Sequence, residues 1–280
     1  MAIPHTFHFI SGLPRSGSTL LSAILRQNPR FHAGVTSPVA SFVGTLLGQV
    51  GAGSEWSSQV SLEQRRTLLR GLFENYYADI AQPVVFDTNR TWSAKLPLLL
   101  DLFPSTKVIA CVRNVAWVMD SLERLIRANP YENTRLFAND AERGTVHARV
   151  DTLAQRTRLV GLPWHALKEG FYSEQGHALL VIDYELLARR PGEVLPLIYK
   201  FLGEESFAHD FERLEFDTPD YDVELGLKGM HKVRPSVGFE TRTTLLPPDL
   251  FRQYAQMSFW LDTKASRANV ITVREEAPAE

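Results

Sequence analysis

Phe7-His8-Phe9-Ile10-Ser11, running into Gly12-Leu13-Pro14-Arg15-Ser16-Gly17-Ser18-Thr19, decides how the chain is read. A short apolar strand meets a glycine-bearing turn, after which Leu20, Leu21, Ile24 and Leu25 recur at the 3.6-residue period of a helix. Strand, turn and helix together open a βαβ unit. The turn also has the spacing of a phosphate loop: glycine, four residues, glycine, then two residues, with Thr19 at the hydroxyl position. Ser18 stands where nucleoside triphosphatases carry the lysine that reaches the β and γ phosphates, which argues against ATP hydrolysis or kinase chemistry. Consecutive backbone N–H groups and the positive end of the following helix still suit an anion, and Arg15 adds a charge placed for a bridging oxygen.

Outward from this loop, Pro83-Val84-Val85-Phe86-Asp87 reads as a second strand, ending on a carboxylate. Lys107 to Val112 is a third, apolar throughout, which suits a parallel sheet covered on both faces. Ala178 to Ile182 is a fourth. Helices are expected at Ser37 to Gln49, Ser61 to Ala81, Ser93 to Phe103, Val115 to Ala128 and Pro191 to Leu202. The alternation predicts an α/β fold, a P-loop-like parallel sheet of about five strands flanked by helices. Residues 1–280 are read as one domain, 1–203 forming the α/β core and 204–280 a loop-rich part with an acidic tail from Val273 to Glu280. The stretches Gln49 to Ser61 and Asn129 to Thr145 are expected to shape a substrate pocket.

With 44% hydrophobic and 22% charged residues, the composition excludes collagen-like, disordered and membrane-spanning classes. A formal net charge of -2 argues against a dedicated nucleic-acid binder. Cys111, the single cysteine, has no partner for an internal disulfide and sits in an apolar strand. The first residues lack the pattern of a secretory signal, so a cytoplasmic location is expected.

Three separate elements resemble the sulfotransferases that use 3′-phosphoadenosine 5′-phosphosulfate. Pro14-Arg15-Ser16-Gly17-Ser18-Thr19-Leu20 is similar to that family's 5′-phosphosulfate loop. Val112-Arg113-Asn114, with Ser121 eight residues beyond Arg113, resembles its 3′-phosphate element. Asp183-Tyr184-Glu185, Leu187, Arg190-Pro191 and Phe201-Leu202-Gly203 resemble its tyrosine-glutamate turn, proline and closing helix. The resemblance covers residues 7 to 203, and its pattern is most similar to bacterial members related to protein-tyrosine sulfotransferases. It implies a donor held by Pro14, Arg15, Ser16, Gly17, Ser18, Thr19, Arg113, Ser121 and Tyr184, with 3′-phosphoadenosine 5′-phosphate as product and no metal. Lys232 and Arg234, in the densest basic run, resemble the family's late loop over the 3′-phosphate. The acceptor is expected to be a hydroxyl on a peptide tyrosine, a glycan or a small phenol or alcohol, with no nucleic acid or membrane span involved and a homodimer left open. Two alternatives stand beside this: a nucleotide kinase-like phosphotransferase with an unusual loop, and an inactive nucleotide-binding module.

Sulfuryl transfer develops charge on the bridging oxygen, and fixed positive groups must meet it there. Arg15 is the first candidate and Lys95 the second, because Lys95 sits at the start of the helix after the second strand, where the resemblance implies a catalytic lysine or histidine. The acceptor hydroxyl needs a base. Related protein-tyrosine enzymes carry a glutamate just after the first helix, and Gly34-Val35-Thr36-Ser37-Pro38 offers none. Asp87, at a strand's carboxyl end, is the expected substitute, which makes Arg15, Lys95 and Asp87 the catalytic set. His8 and His32 are expected to be structural.

Overall fold

The computed structural model describes residues 5–216, 221–224 and 226–272; the acidic tail expected from Val273 lies outside them. Strands β1 (Thr6–Gly12), β2 (Phe31–Ala33), β3 (Val84–Thr88), β4 (Val108–Val112), β5 (Leu179–Asp183) and β6 (Asn269–Ile271) form one sheet in the order β2-β3-β1-β4-β5-β6, and every pairing is parallel. The sheet has six strands where about five are expected. The four read from sequence are all present, and β2 and β6 are additions of three residues each. Segments that short show no period of their own, so edge pairing decides their conformation. Through β6 the loop-rich part beyond residue 203 also returns to the sheet.

The helices are α1 (Ser18–Leu25), α2 (Val39–Val50), α3 (Leu62–Tyr76), α4 (Leu96–Leu102), α5 (Val115–Ala128), α6 (Asp140–Arg143), α7 (Val146–Ala154), α8 (Gly161–Phe171), α9 (Tyr184–Arg189), α10 (Pro191–Leu202), α11 (Tyr221–Glu224) and α12 (Pro248–Ala255). Alternate strand residues feed two cores. Phe7, Phe9, Val85 and Val108 pack with Phe73 of α3, Leu99 of α4 and Leu167 of α8. Ile10, Phe86, Ile109 and Cys111 pack with Ile24 of α1 and Ile198 of α10. Both faces of the sheet are thereby covered, as continuously apolar parallel strands require. Cys111 is fully buried, and burial pushes its thiol up to about 12, which makes it a core residue with little nucleophilic character. No helix among the described residues is long and apolar enough to cross a membrane.

His8 is buried in β1, where its Nδ1 accepts the Lys107 backbone N–H at 3.1 Å and its ring packs on Phe86 at 5.5 Å. Burial first, and the Lys107 charge second, lower its pKa from 6.5 to about 4. The unfolded chain binds a proton near pH 6.5 that the folded chain refuses until about pH 4. Stability from this residue is therefore complete above 6.5 and lost as pH falls toward 4, by about 3 kcal/mol at most. Urea unfolding at pH 7 and pH 4.5 should show that loss, and His8→Gln should flatten it.

Candidate active site

The strand order reverses between β1 and β4, so the loops after these strands diverge and leave a crevice at their carboxyl ends. Gly12 closes β1 at φ +109°, with Leu13 N–H bonded to the Cys111 carbonyl at 2.9 Å. Arg15 (φ 58°) and Gly17 (φ 91°) then turn the chain into α1. Ser16 is buried and its hydroxyl donates to the Pro14 carbonyl at 3.3 Å, which shapes the loop from inside. Helix α1 starts with no side-chain cap and no acidic residue in its first turn, so its first N–H groups suit an anion.

Helix α5 is capped by Asn114, whose Oδ1 accepts the Ala116 N–H at 3.0 Å, and this sets Arg113 at the crevice rim and Ser121 two turns further along. Arg15 Nε donates to Ser121 Oγ at 3.1 Å, while its Nη1 donates to the carbonyls of Gly229, at 3.3 Å, and Met230. One arginine thus joins the phosphate loop, α5 and the segment 229–242, hereafter the strap. The Arg113 guanidinium lies 4.7 Å from the centre of the Tyr184 ring, and Tyr184 packs so close to Gly17 that a Cβ there would sit 2.8 Å from the ring. Burial lowers the Arg15 pKa to about 10 and lowers that of Arg113, and both stay charged near neutrality.

Six cations line this first cleft: Arg15, Arg90, Arg113, Lys232, Arg234 and Arg242. Among the described lining residues the one carboxylate is Glu240, which pairs with Arg234 at 2.6 Å. In a chain of net charge -2, that concentration builds a strongly positive local potential. Arg242 lies 3.0 Å from buried Asp120, yet its Nε and Nη2 are buried without a hydrogen-bond acceptor among the described residues. Tyr184 and Phe239, 6.2 Å apart, add an aromatic wall.

A second cleft adjoins the first, and Ser18, Arg90 and His231 line both. Its walls come from the loop before α2 (Val35, Thr36), the end of β3 and the turn after it (Thr88 to Thr91), and residues 157–163 entering α8. Hydroxyls of Thr36, Ser41, Thr88, Thr91 and Thr157 share it with Leu159, Leu162 and Pro163, and no carboxylate is among its described lining residues. Arg158 there pairs with Glu142 at 2.8 Å.

Of the residues expected at the site, Arg15, Gly17, Ser18, Thr19, Arg113, Ser121, Tyr184, Lys232 and Arg234 converge on the first cleft, whereas Pro14 and Ser16 are buried and line neither cleft. Asp87 and Lys95 must be corrected. Asp87 is wholly buried and accepts three hydrogen bonds, from Ser37 Oγ at 2.5 Å, Tyr77 OH at 2.7 Å and Trp92 Nε1 at 2.7 Å. Burial raises its pKa, and its lone pairs tie the end of α3 to the loop before α2 and the turn after β3, so it has no access to an acceptor. Lys95 ends the 3₁₀ turn Trp92–Lys95 and lines neither cleft. Gln49 to Ser61 and Asn129 to Thr145 line neither cleft as well; residues 157–163 form that wall instead. Arg90, His231 and Arg242 are the cleft residues sequence reasoning missed. His231 lay inside the basic run already noticed, whereas Arg90 and Arg242 belong to no spacing motif.

The fold and its joined clefts define a class: an α/β protein whose phosphate loop lacks the lysine of nucleoside triphosphatases and opens on a strongly cationic crevice. Within that class, the chain belongs to the sulfotransferase family, whose model matches residues 8–209. Solved structures agree in fold. The sulfotransferase domain from the curacin biosynthetic pathway aligns with TM-score 0.53 and 16% identity, over 95% of this chain and 96% of that one. The sulfotransferase domain from the Synechococcus PCC 7002 olefin synthase aligns with TM-score 0.50 and 18% identity, over 91% and 95%. A sulfotransferase from Alicyclobacillus acidocaldarius aligns with TM-score 0.50 and 21% identity, over 80% and 90%. No curated protein matches the chain.

Proposed function

We propose that the protein moves the sulfuryl group from 3′-phosphoadenosine 5′-phosphosulfate to an acceptor hydroxyl in the second cleft, by in-line displacement without a metal. The observation that carries this reading is the convergence of six cations on a phosphate loop without its lysine, in a cleft joined to an uncharged-to-cationic one at Ser18, Arg90 and His231. The loop amides and the start of α1 suit the 5′-phosphosulfate. Arg113, Ser121 and Arg242 suit the 3′-phosphate, with Lys232 and Arg234 above it, and Tyr184 and Phe239 offer faces for the adenine. Arg90 in the seam takes the part expected of Lys95, fixed positive charge where the leaving oxygen develops its own. The lack of carboxylates among the second cleft's described lining residues suits a neutral or anionic acceptor, and a peptide tyrosine, a glycan and a small phenol or alcohol all present the needed hydroxyl. In this reading the chain works as one domain, with the strap completing the donor site.

Thermal unfolding tests the donor. At about a hundred times its Kd, 3′-phosphoadenosine 5′-phosphate should stabilise the fold by about 2.7 kcal/mol. Adenosine 5′-phosphate should do so much less, and Arg113→Ala should erase most of the difference between the two. A shift with ATP and magnesium alone would replace this reading with the kinase-like one.

A further inference from the structure

We propose that His231, aligned by Asp222, is the general base that takes the proton from the acceptor hydroxyl, an assignment that rests on the sulfuryl-transfer reading above. Its position is the first argument. His231 lies on the strap and is one of three residues that line both clefts, so it stands at the seam where donor and acceptor would meet.

The second argument is its clamp. His231 is 7% exposed and Asp222 8%. His231 Nδ1 lies 2.6 Å from Asp222 Oδ1, and the His231 backbone N–H donates to Oδ2 at 2.9 Å. Two contacts from one carboxylate fix both the ring's orientation and its tautomer: Nδ1 carries the proton and donates to Asp222, leaving Nε2 as the basic nitrogen. The third argument is chemical. Asp87 is engaged elsewhere, and among the described residues lining the second cleft His231 is the one side chain able to accept a proton near neutrality. Burial, with Arg90 and Arg15 nearby, lowers its pKa, while Asp222 opposes them, so the ring is neutral at pH 7.

The step balances. The acceptor O–H proton passes to His231 Nε2 while the acceptor oxygen forms the new bond to sulfur. The bond from sulfur to the donor's bridging oxygen breaks, and its electron pair stays on the phosphate. The imidazolium then returns its proton to water. His231 acts on the acceptor directly, and Asp222 is a positioning residue.

The test compares the wild type with His231→Gln, His231→Ala and Asp222→Asn. Affinity for 3′-phosphoadenosine 5′-phosphate is read by thermal shift, and its release from the sulfated donor is followed from pH 5 to 8 with a panel of phenols, alcohols and tyrosyl peptides. His231→Gln should keep nucleotide affinity within about threefold yet lose about 10²–10⁴ in turnover. Imidazole should restore part of the His231→Ala rate. The wild-type rate should fall on an acid limb below pH 6.5, because a protonated ring cannot accept. Asp222→Asn should move that limb to lower pH, since the lost carboxylate favoured the protonated form, and should lower the plateau. Turnover of His231→Gln near the wild-type rate would overturn the assignment. Parallel loss of nucleotide affinity and turnover would overturn it too, and would make the pair a clamp for the strap. A wild type that neither binds the nucleotide nor releases it from the donor would instead sink the donor reading, and the base with it.

Discussion

Replacing Arg15 with alanine should lower turnover by about 10³-fold, the upper range for losing one preorganised donor at a developing charge. The side chain does more than add charge. Its Nε holds Ser121 and its Nη1 holds the carbonyls of Gly229 and Met230, so its loss loosens the strap that carries His231, Lys232 and Arg234 over the cleft. Arg15→Lys separates the two contributions. A lysine keeps one charge but cannot bond Ser121 and the strap together as a guanidinium fork does, so it should recover about tenfold at most. Donor turnover and nucleotide-induced thermal shifts check both variants. A near wild-type rate in Arg15→Ala would remove the residue from the chemistry and leave it a structural tie.

The second large effect is on stability. Gly12→Ala should cost about 4 kcal/mol, measured as a lower urea midpoint at unchanged slope. A Cβ on Gly12 would stand 2.0 Å from the Cys111 carbonyl oxygen and 2.6 Å from its nitrogen, both backbone atoms of a central strand paired with β1. Nothing there is the end of a flexible side chain, and the φ of +109° adds strain. Gly53→Ala is the control. It shares a positive φ, +96°, but a Cβ there would meet nothing within 4 Å, so conformational strain alone should cost about 1 kcal/mol. Equal losses in the two variants would mean that the contact with Cys111 relaxes freely.

Much of the first cleft's lining was legible in sequence because its parts are local. The loop from Gly12 to Thr19 is one turn, and Arg113 to Ser121 is a strand end plus two helical turns, so residue spacing already encodes relative position. Strands β3 and β4 were readable from their apolar runs, and α10 from its proline start and glycine stop. Asp87 shows where such reasoning ends. A carboxylate at a strand's carboxyl end looks ligand-facing, but Tyr77, ten residues earlier, and Trp92, five later, fold over it and close it off. Lys95 differs: it ends a 3₁₀ turn that packs against α8 and lines neither cleft, a placement set by tertiary contacts.

What the sequence by itself determined is the βαβ core and a loop whose geometry suits an anion, both of which follow from periodicity and short-range geometry. The tertiary structure alone decided the seam between the two clefts. Arg90 follows β3, Arg242 and His231 lie on a strap more than a hundred residues later, and Asp222 reaches His231 from α11. No spacing rule links them. They meet because Arg15 and Asp120, the latter buried and bonded to Leu245 N–H at 2.6 Å, draw the strap down onto the sheet's carboxyl ends. Such contacts form only once the core gives the buried charges a place to be satisfied.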